Sequence, residues 1–212
     1  MRWVSAIFFV LFVASTFAFF PRSSRQANRV VRSSRPRSFV TGPLWDAILF
    51  VVFFAPLVEA AVPGWMYEGP LTFGFSLDSV AQALGIVIWL AGGGLAILAQ
   101  RRLGRFTRPE IEVLADHQLI TSGPYQWIRH PLYTALLMMS AGVALFLLNG
   151  LLIVLFLVAW GIAWRRAVVE EDLLASESGF GPTYRNYMER TGRFLPRRRF
   201  RPANPETEDR AH

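Results

Sequence analysis

The residues best suited to chemistry stand in two short polar clusters, each beside a long apolar run. The first is His117–Tyr133, where Gly123-Pro124, three aromatics and the pair Arg129-His130 precede the apolar stretch Thr134–Leu148. Glycine and proline there force a turn, and Pro131 suits the first turn of a helix. Arg129 and His130 then sit at a helix N-terminus, where unpaired amides and the dipole favour anions or carboxylates. An ordinary juxtamembrane flank, with Arg129 on lipid phosphate and the aromatics in the interfacial belt, would use the same residue types. The second cluster is Arg166, Glu170 and Glu171. Arg166 and Glu170, four apart, share a helix face; exposed, such a pair is worth about 0.3–0.5 kcal/mol. Paired carboxylates beside a membrane also suit acid–base work or a metal. Only Asp172 adds another ligand type nearby, so no metal is expected.

These clusters need a scaffold, and the composition says which kind. The chain is 53% hydrophobic and 17% charged, with the charges gathered in blocks. That is too apolar for an average soluble domain, and the class is integral membrane. The net charge of +7 comes from arginines flanking apolar runs, so nucleic acid is not an expected partner. Cysteine is absent and all 22 basic residues are arginine. Disulfides, thiol catalysis and lysine Schiff-base chemistry are thereby excluded.

Five apolar segments stand out: Trp3–Phe20, Leu44–Val62, Val80–Ala99, Pro131–Leu148 and Leu151–Trp164. A spanning helix needs about 20 residues; the last segment is short and is expected to extend through Arg165 and Arg166 by snorkelling. Asn149-Gly150 predicts a tight turn, hence an antiparallel hairpin. The loops Pro21–Gly42 and Arg101–His130 and the tail are arginine-rich, whereas Pro63–Ser79 carries only acids. Basic loops stay cytoplasmic, which places the N-terminus outside and both clusters on the cytoplasmic side. The fold class expected is all-α and polytopic, with about five transmembrane helices, the C-terminal hairpin and a short amphipathic helix over Thr183–Arg190. A bacterial plasma membrane is the expected location. The rival reading cleaves residues 1–20 as a targeting segment and places the protein in an organelle membrane. Gly92-Gly93-Gly94 is expected to permit close helix packing, and Glu59 to lie near the outer interface. Asn204–His212 is expected to be a disordered tail.

The joint pattern resembles the isoprenylcysteine carboxyl methyltransferase family, with its related phospholipid-type membrane methyltransferases. The matching strings are His117-Gln118-Leu119-Ile120-Thr121-Ser122-Gly123-Pro124-Tyr125, then Arg129-His130-Pro131-Leu132-Tyr133. They continue as Arg166 through Leu174, Phe180-Gly181 with Tyr184 and Tyr187, and Arg193-Phe194-Leu195-Pro196. Ala135 stands where the family has glycine, and Ser176–Gly179 lengthens the spacer before Phe180. The resemblance divides the chain into N-terminal helices and basic loops (1–116), a methyltransferase core (117–196) and a basic tail (197–212).

It implies S-adenosylmethionine as methyl donor. His117, Gln118, Leu119, Ile120, Tyr125, His130, Pro131, Leu132, Tyr133 and Glu170 match its cofactor-binding positions. Arg166 matches the position that meets the substrate carboxylate, and Arg166 and Glu170 are the expected catalytic pair. Methyl transfer from a sulfonium is an in-line displacement that needs alignment more than acid–base help. Glutamate suits ribose hydroxyls or an ammonium, and tyrosine faces suit adenine and the sulfonium. A neutral His130 could donate to the donor's carboxylate. The acceptor, lipidic or small and apolar, is left open among a carboxylate, an amine and a thiol. Two other classes stay in view: an NADPH-dependent membrane reductase of sterol-reductase type, and a non-enzymatic membrane subunit.

Overall fold

A computed structural model describes residues 31–34, 38–62, 64–66, 68–69, 71–72, 78–104, 112–114 and 118–197. The expected first apolar segment, the expected disordered tail and His117 lie outside the described residues. Those described form five α-helices: α1 Trp45–Ala61, α2 Asp78–Leu103, α3 Pro131–Leu147, α4 Gly150–Leu174 and α5 Pro182–Arg190. A π-helical turn, Val40–Leu44, leads into α1. Among these, three helices are long and apolar enough to cross a membrane, and α3 is a shorter apolar helix. They expose Phe50, Val87, Leu90, Val154, Leu157 and Trp164, a girdle suited to lipid rather than water.

The all-helical expectation carries one addition. The strands β1 (Val31–Ser34) and β2 (Glu112–Leu114) pair antiparallel, with Val31 opposite Leu114 and Ser34 opposite Glu112. This ribbon pairs a described piece of each arginine-rich loop, Val31–Ser34 with Glu112–Leu114. The short last apolar segment is part of a longer helix. Helix α4 does not fade at Trp164 but runs 25 residues to Leu174. Its polar end continues because partners from other elements bury it.

The most extensive helix contact is α2 on α3. Gly85, Trp89, Gly92, Ala96 and Ala99 are the buried positions of α2. Their spacing alternates four and three, the 3.5-residue period that keeps one stripe against a partner. In lipid such contact rests on close packing, so small residues dominate it. A Cβ on Gly142 of α3 would lie 2.6 Å from the Gly85 carbonyl oxygen. One on Gly92 would lie 2.9 Å from the Ala135 carbonyl oxygen. Ala135 itself is fully buried, so its extra methyl relative to glycine is accommodated in this seam. Of the triple glycine only Gly92 serves the packing; Gly93 and Gly94 face open space.

The hairpin forms where expected. Leu148 takes a left-handed conformation, φ 48°, and Asn149 caps α4 through its side chain on the Leu151 amide at 3.0 Å. Its amide also donates to the Met66 carbonyl at 2.8 Å. Glu59 accepts from the Gly64 and Met66 amides at 2.7 and 2.8 Å. The loop after α1 is therefore fastened to the hairpin tip, and Glu59 has a structural use at that end.

The seam predicts a contrast between two glycines. Gly142→Ala should cost about 1–3 kcal/mol by overpacking. Gly94→Ala should be neutral or stabilise by up to about 1 kcal/mol. Denaturant unfolding in mild detergent reads both; equal effects would mean that the seam does not hold these helices together.

Candidate functional site

At the end opposite the Asn149 turn, the two polar clusters meet. Helix α3 starts there with Pro131 at its first turn and His130 as the residue before it. Helix α4 arrives from the far end and brings Arg166, Glu170 and Glu171. Neighbours on a helix point about 100° apart, so Glu170 and Glu171 face different surroundings.

Glu171 is 2% exposed. It accepts from Arg129 Nε at 2.8 Å and from Arg193 Nη2 at 2.6 Å. His130 Nε2 lies 3.2 Å from the same carboxylate. Arg129 also donates to the Met188 carbonyl at 3.0 Å and to that of Thr191. Arg193 in turn covers the Trp164 ring, 4.4 Å from its centre. Its bonds to Glu171 raise the pKa of its guanidinium. One buried carboxylate thus ties together the loop before α3, the end of α4 and the segment after α5. Backbone bonds add to the clasp: Arg129 N to Gly192 O at 2.8 Å and His130 N to Arg193 O at 3.1 Å.

Glu170 is built differently. Its side chain is 32% exposed. The Tyr133 hydroxyl donates to it at 3.0 Å, and His130 Nδ1 lies 3.6 Å away. The His130 and Tyr133 rings stack, 5.4 Å apart and 15° from parallel. Tyr125 and Tyr184 complete the surroundings: burial first, and the Glu170 charge next, push both phenols upward. Helix α5 supplies this wall as its periodicity foretold, burying Tyr184 and Tyr187 on one face. The Tyr187 hydroxyl donates to the Tyr125 carbonyl at 2.5 Å.

Arg166 is 5% exposed. The direct grip on Glu170 anticipated from their spacing is routed through a third group. Arg166 Nε donates to the Tyr133 oxygen at 3.3 Å, and the Tyr133 hydroxyl in turn donates a hydrogen bond to Glu170. Arginine only donates and a carboxylate only accepts, so the orientation of that hydroxyl is determined. Arg166 Nη1 donates to the carbonyl of Thr41. The rings of Trp45 and Tyr133 lie 5.7 Å from its guanidinium carbon.

Of the residues singled out in the sequence, Tyr125, His130, Tyr133, Arg166 and Glu170 come together. Pro131 is buried and Leu132 half-buried in the first turn of α3; Gln118 is exposed, and Leu119 and Ile120 are half-buried. Sequence reasoning missed the clasp on Glu171. It also missed Thr41 and Trp45, which come from outside the supposed core. Arg193 stood in a recognised string, which was a usable signal; Thr41 acts through its backbone and offered none.

The profile of the isoprenylcysteine carboxyl methyltransferase family matches residues 84–176. The protein-S-isoprenylcysteine O-methyltransferase of Tribolium castaneum is 35% identical over 160 residues, which are 69% of this chain and 54% of that protein. The chain resembles the isoprenylcysteine carboxyl methyltransferase family in both sequence and fold. The Saccharomyces cerevisiae protein of the same name is 28% identical over 144 residues, 66% of this chain and 59% of its own. The solved structure of the eukaryotic intramembrane Ras methyltransferase ICMT aligns with a TM-score of 0.50 and 25% identity. It covers 74% of this chain and 51% of the other. The chain spans little more than half the length of these family relatives. The family's solved fold is a membrane one, as are the apolar helices here, so the chain is an integral, multi-pass membrane protein.

The two glutamates should fail differently. Removing one partner from a buried charge network costs about 3–5 kcal/mol, and Glu171→Gln should lose that much. Glu170→Gln, partly exposed, should lose about 1 kcal/mol or less. Unfolding in detergent measures both; equal losses would show that Glu171 is not the hub.

Proposed function

We propose that this chain is a membrane methyltransferase that uses S-adenosylmethionine and methylates the carboxylate of an apolar acceptor of the isoprenylcysteine kind. The observation that carries the reading is the half-open Glu170 carboxylate. It is braced by His130 and Tyr133, walled by Tyr125 and Tyr184, and one hydroxyl away from Arg166. The likeness to that family supports it, since the relatives are named as O-methyltransferases.

The residues present fit the donor. An accessible carboxylate suits hydroxyls or an ammonium, and aromatic faces suit a purine and a sulfonium. Bound S-adenosylmethionine would supply a methyl on a sulfonium, for transfer to the acceptor's carboxylate oxygen with the C–S electron pair left on sulfur and no proton to move. The protein's own contribution is positional. Glu170 holds the donor side, and Arg166 holds the acceptor carboxylate. Tyr133 spaces the two through its hydroxyl. His130 is enclosed between Glu170 and Glu171, so its part is to fix Glu170 rather than to donate to the donor's carboxylate. Gln118, Leu119, Ile120, Pro131 and Leu132 belong to the donor side on the family pattern, and His117 with them.

Thr41 meets Arg166, and Arg102 lies beside Gly123, so the described edges of the two arginine-rich loops are at the site end, and arginine-rich loops stay cytoplasmic. The active site accordingly faces the cytoplasm, in a bacterial plasma membrane on this reading. A cysteine placed at Ser178 should resist an impermeant thiol reagent in intact cells, and one at Ser76 should react. The reverse pattern would invert the topology.

S-adenosylhomocysteine should bind the purified protein and NADPH should not. Losing a hydrogen bond to a charged group costs about 1.5–3 kcal/mol, so Glu170→Ala should weaken S-adenosylhomocysteine roughly 10- to 150-fold. Arg166→Ala should keep that affinity and lose turnover of a carboxylate acceptor. Calorimetry and a methyl-transfer assay decide; NADPH binding in its place would remove the reading.

A further inference from the structure

The entry to α1 is irregular, and the irregularity faces Arg166. Pro43 cannot donate to a helical ladder. The turn around it is π-helical, with Leu44 N bonded to Phe39 O at 3.0 Å and Trp45 N to Gly42 O. Such turns are frequent at functional sites. Here the turn presents the Thr41 carbonyl to Arg166 Nη1 and sets the Trp45 ring beside the same guanidinium. Trp45 and Tyr133 meet edge to face, 6.2 Å apart and 79° inclined. Two aromatic walls therefore stand against one buried cation.

Their geometry restricts how an anion can approach. Ring faces attract the cation and repel negative charge. Arg166 Nε is engaged by Tyr133. A carboxylate must then come in along the Nη edge, where the Thr41 carbonyl sits.

Resting on the methyltransferase reading, we infer that the turn Val40–Trp45 is the acceptor-side wall of the site, and that the Thr41 carbonyl keeps on Arg166 the place an acceptor carboxylate oxygen takes. A carboxylate brings a full negative charge and two oxygens that match the guanidinium fork, where Thr41 offers one neutral acceptor, so it displaces Thr41. The methyl ester offers only a neutral carbonyl, no better than Thr41's own, and Thr41 returns. The same exchange admits the acid and releases the product.

The absence of cysteine allows a clean probe. Phe39 is 72% exposed and two residues from Thr41. A nitroxide on Phe39→Cys should change mobility when farnesylated N-acetylcysteine is added to protein saturated with S-adenosylhomocysteine. The methyl ester of that compound should leave the spectrum unchanged. Trp45→Leu should raise the KM for the acid about 3- to 30-fold with S-adenosylhomocysteine affinity kept within about twofold, and Trp45→Phe should recover most of the loss. A label that ignores the acid while turnover proceeds, or that answers acid and ester alike, overturns the inference. Those results leave the methyltransferase reading standing. Unmodified protein that neither binds S-adenosylhomocysteine nor methylates the acid overturns both. Should Trp45→Leu fail to fold, the label experiment decides alone.

Discussion

The carboxylate of Glu171 is the constraint on which the site depends. It is buried at 2% exposure with Arg129, Arg193 and His130 around it. A buried charge left unpaired is costly, and a well-paired one need not add net stability. What it does supply is a single arrangement. Arg129 belongs to the loop before α3, Glu171 to the end of α4, and Arg193 to the segment after α5. Only one docking of these pieces satisfies all three charges, and that docking turns His130 and Tyr133 toward Glu170.

The bundle behind the clasp is held by a different force. Lipid offers no hydrophobic gain for helix association, so α2 and α3 hold by contact of small residues. Gly85 against Gly142 and Gly92 against Ala135 bring the backbones together. The register of α3 on α2 follows from that interlock, and so does the level at which Pro131 and His130 emerge. The hairpin turn at Leu148-Asn149 then carries the register over to α4. Packing deep in the bundle thereby decides the height of Glu170 relative to Tyr133.

Between clasp and bundle, hydrogen bonds run in one direction. Thr41 O accepts from Arg166, Arg166 donates a second hydrogen bond to the Tyr133 oxygen, and Tyr133 donates to Glu170. Each donor is used with an acceptor suited to it, so the hydroxyl cannot reverse. The two residues with the clearest chemical assignments are thus separated by a fixed spacer rather than joined in a salt bridge. On the proposed methyltransferase reading, in-line transfer needs that kind of fixed separation more than it needs a strong acid or base.

Much of this was legible in the chain. Charge segregation marked the membrane class, Asn149-Gly150 marked the hairpin, and the tyrosine spacing marked the buried face of α5. These signals are local, written by neighbours within a turn or two. The joint strings through Arg193 pointed to the family for the same reason. What tertiary structure decided was the division of labour between adjacent glutamates. Helical geometry sets Glu170 and Glu171 about 100° apart, but only distant residues decide which one meets two arginines and which stays open. Thr41 reaches Arg166 across 125 positions of sequence through a backbone carbonyl, a group every residue carries. Its part in the site leaves no trace in residue type, and only the fold discloses it.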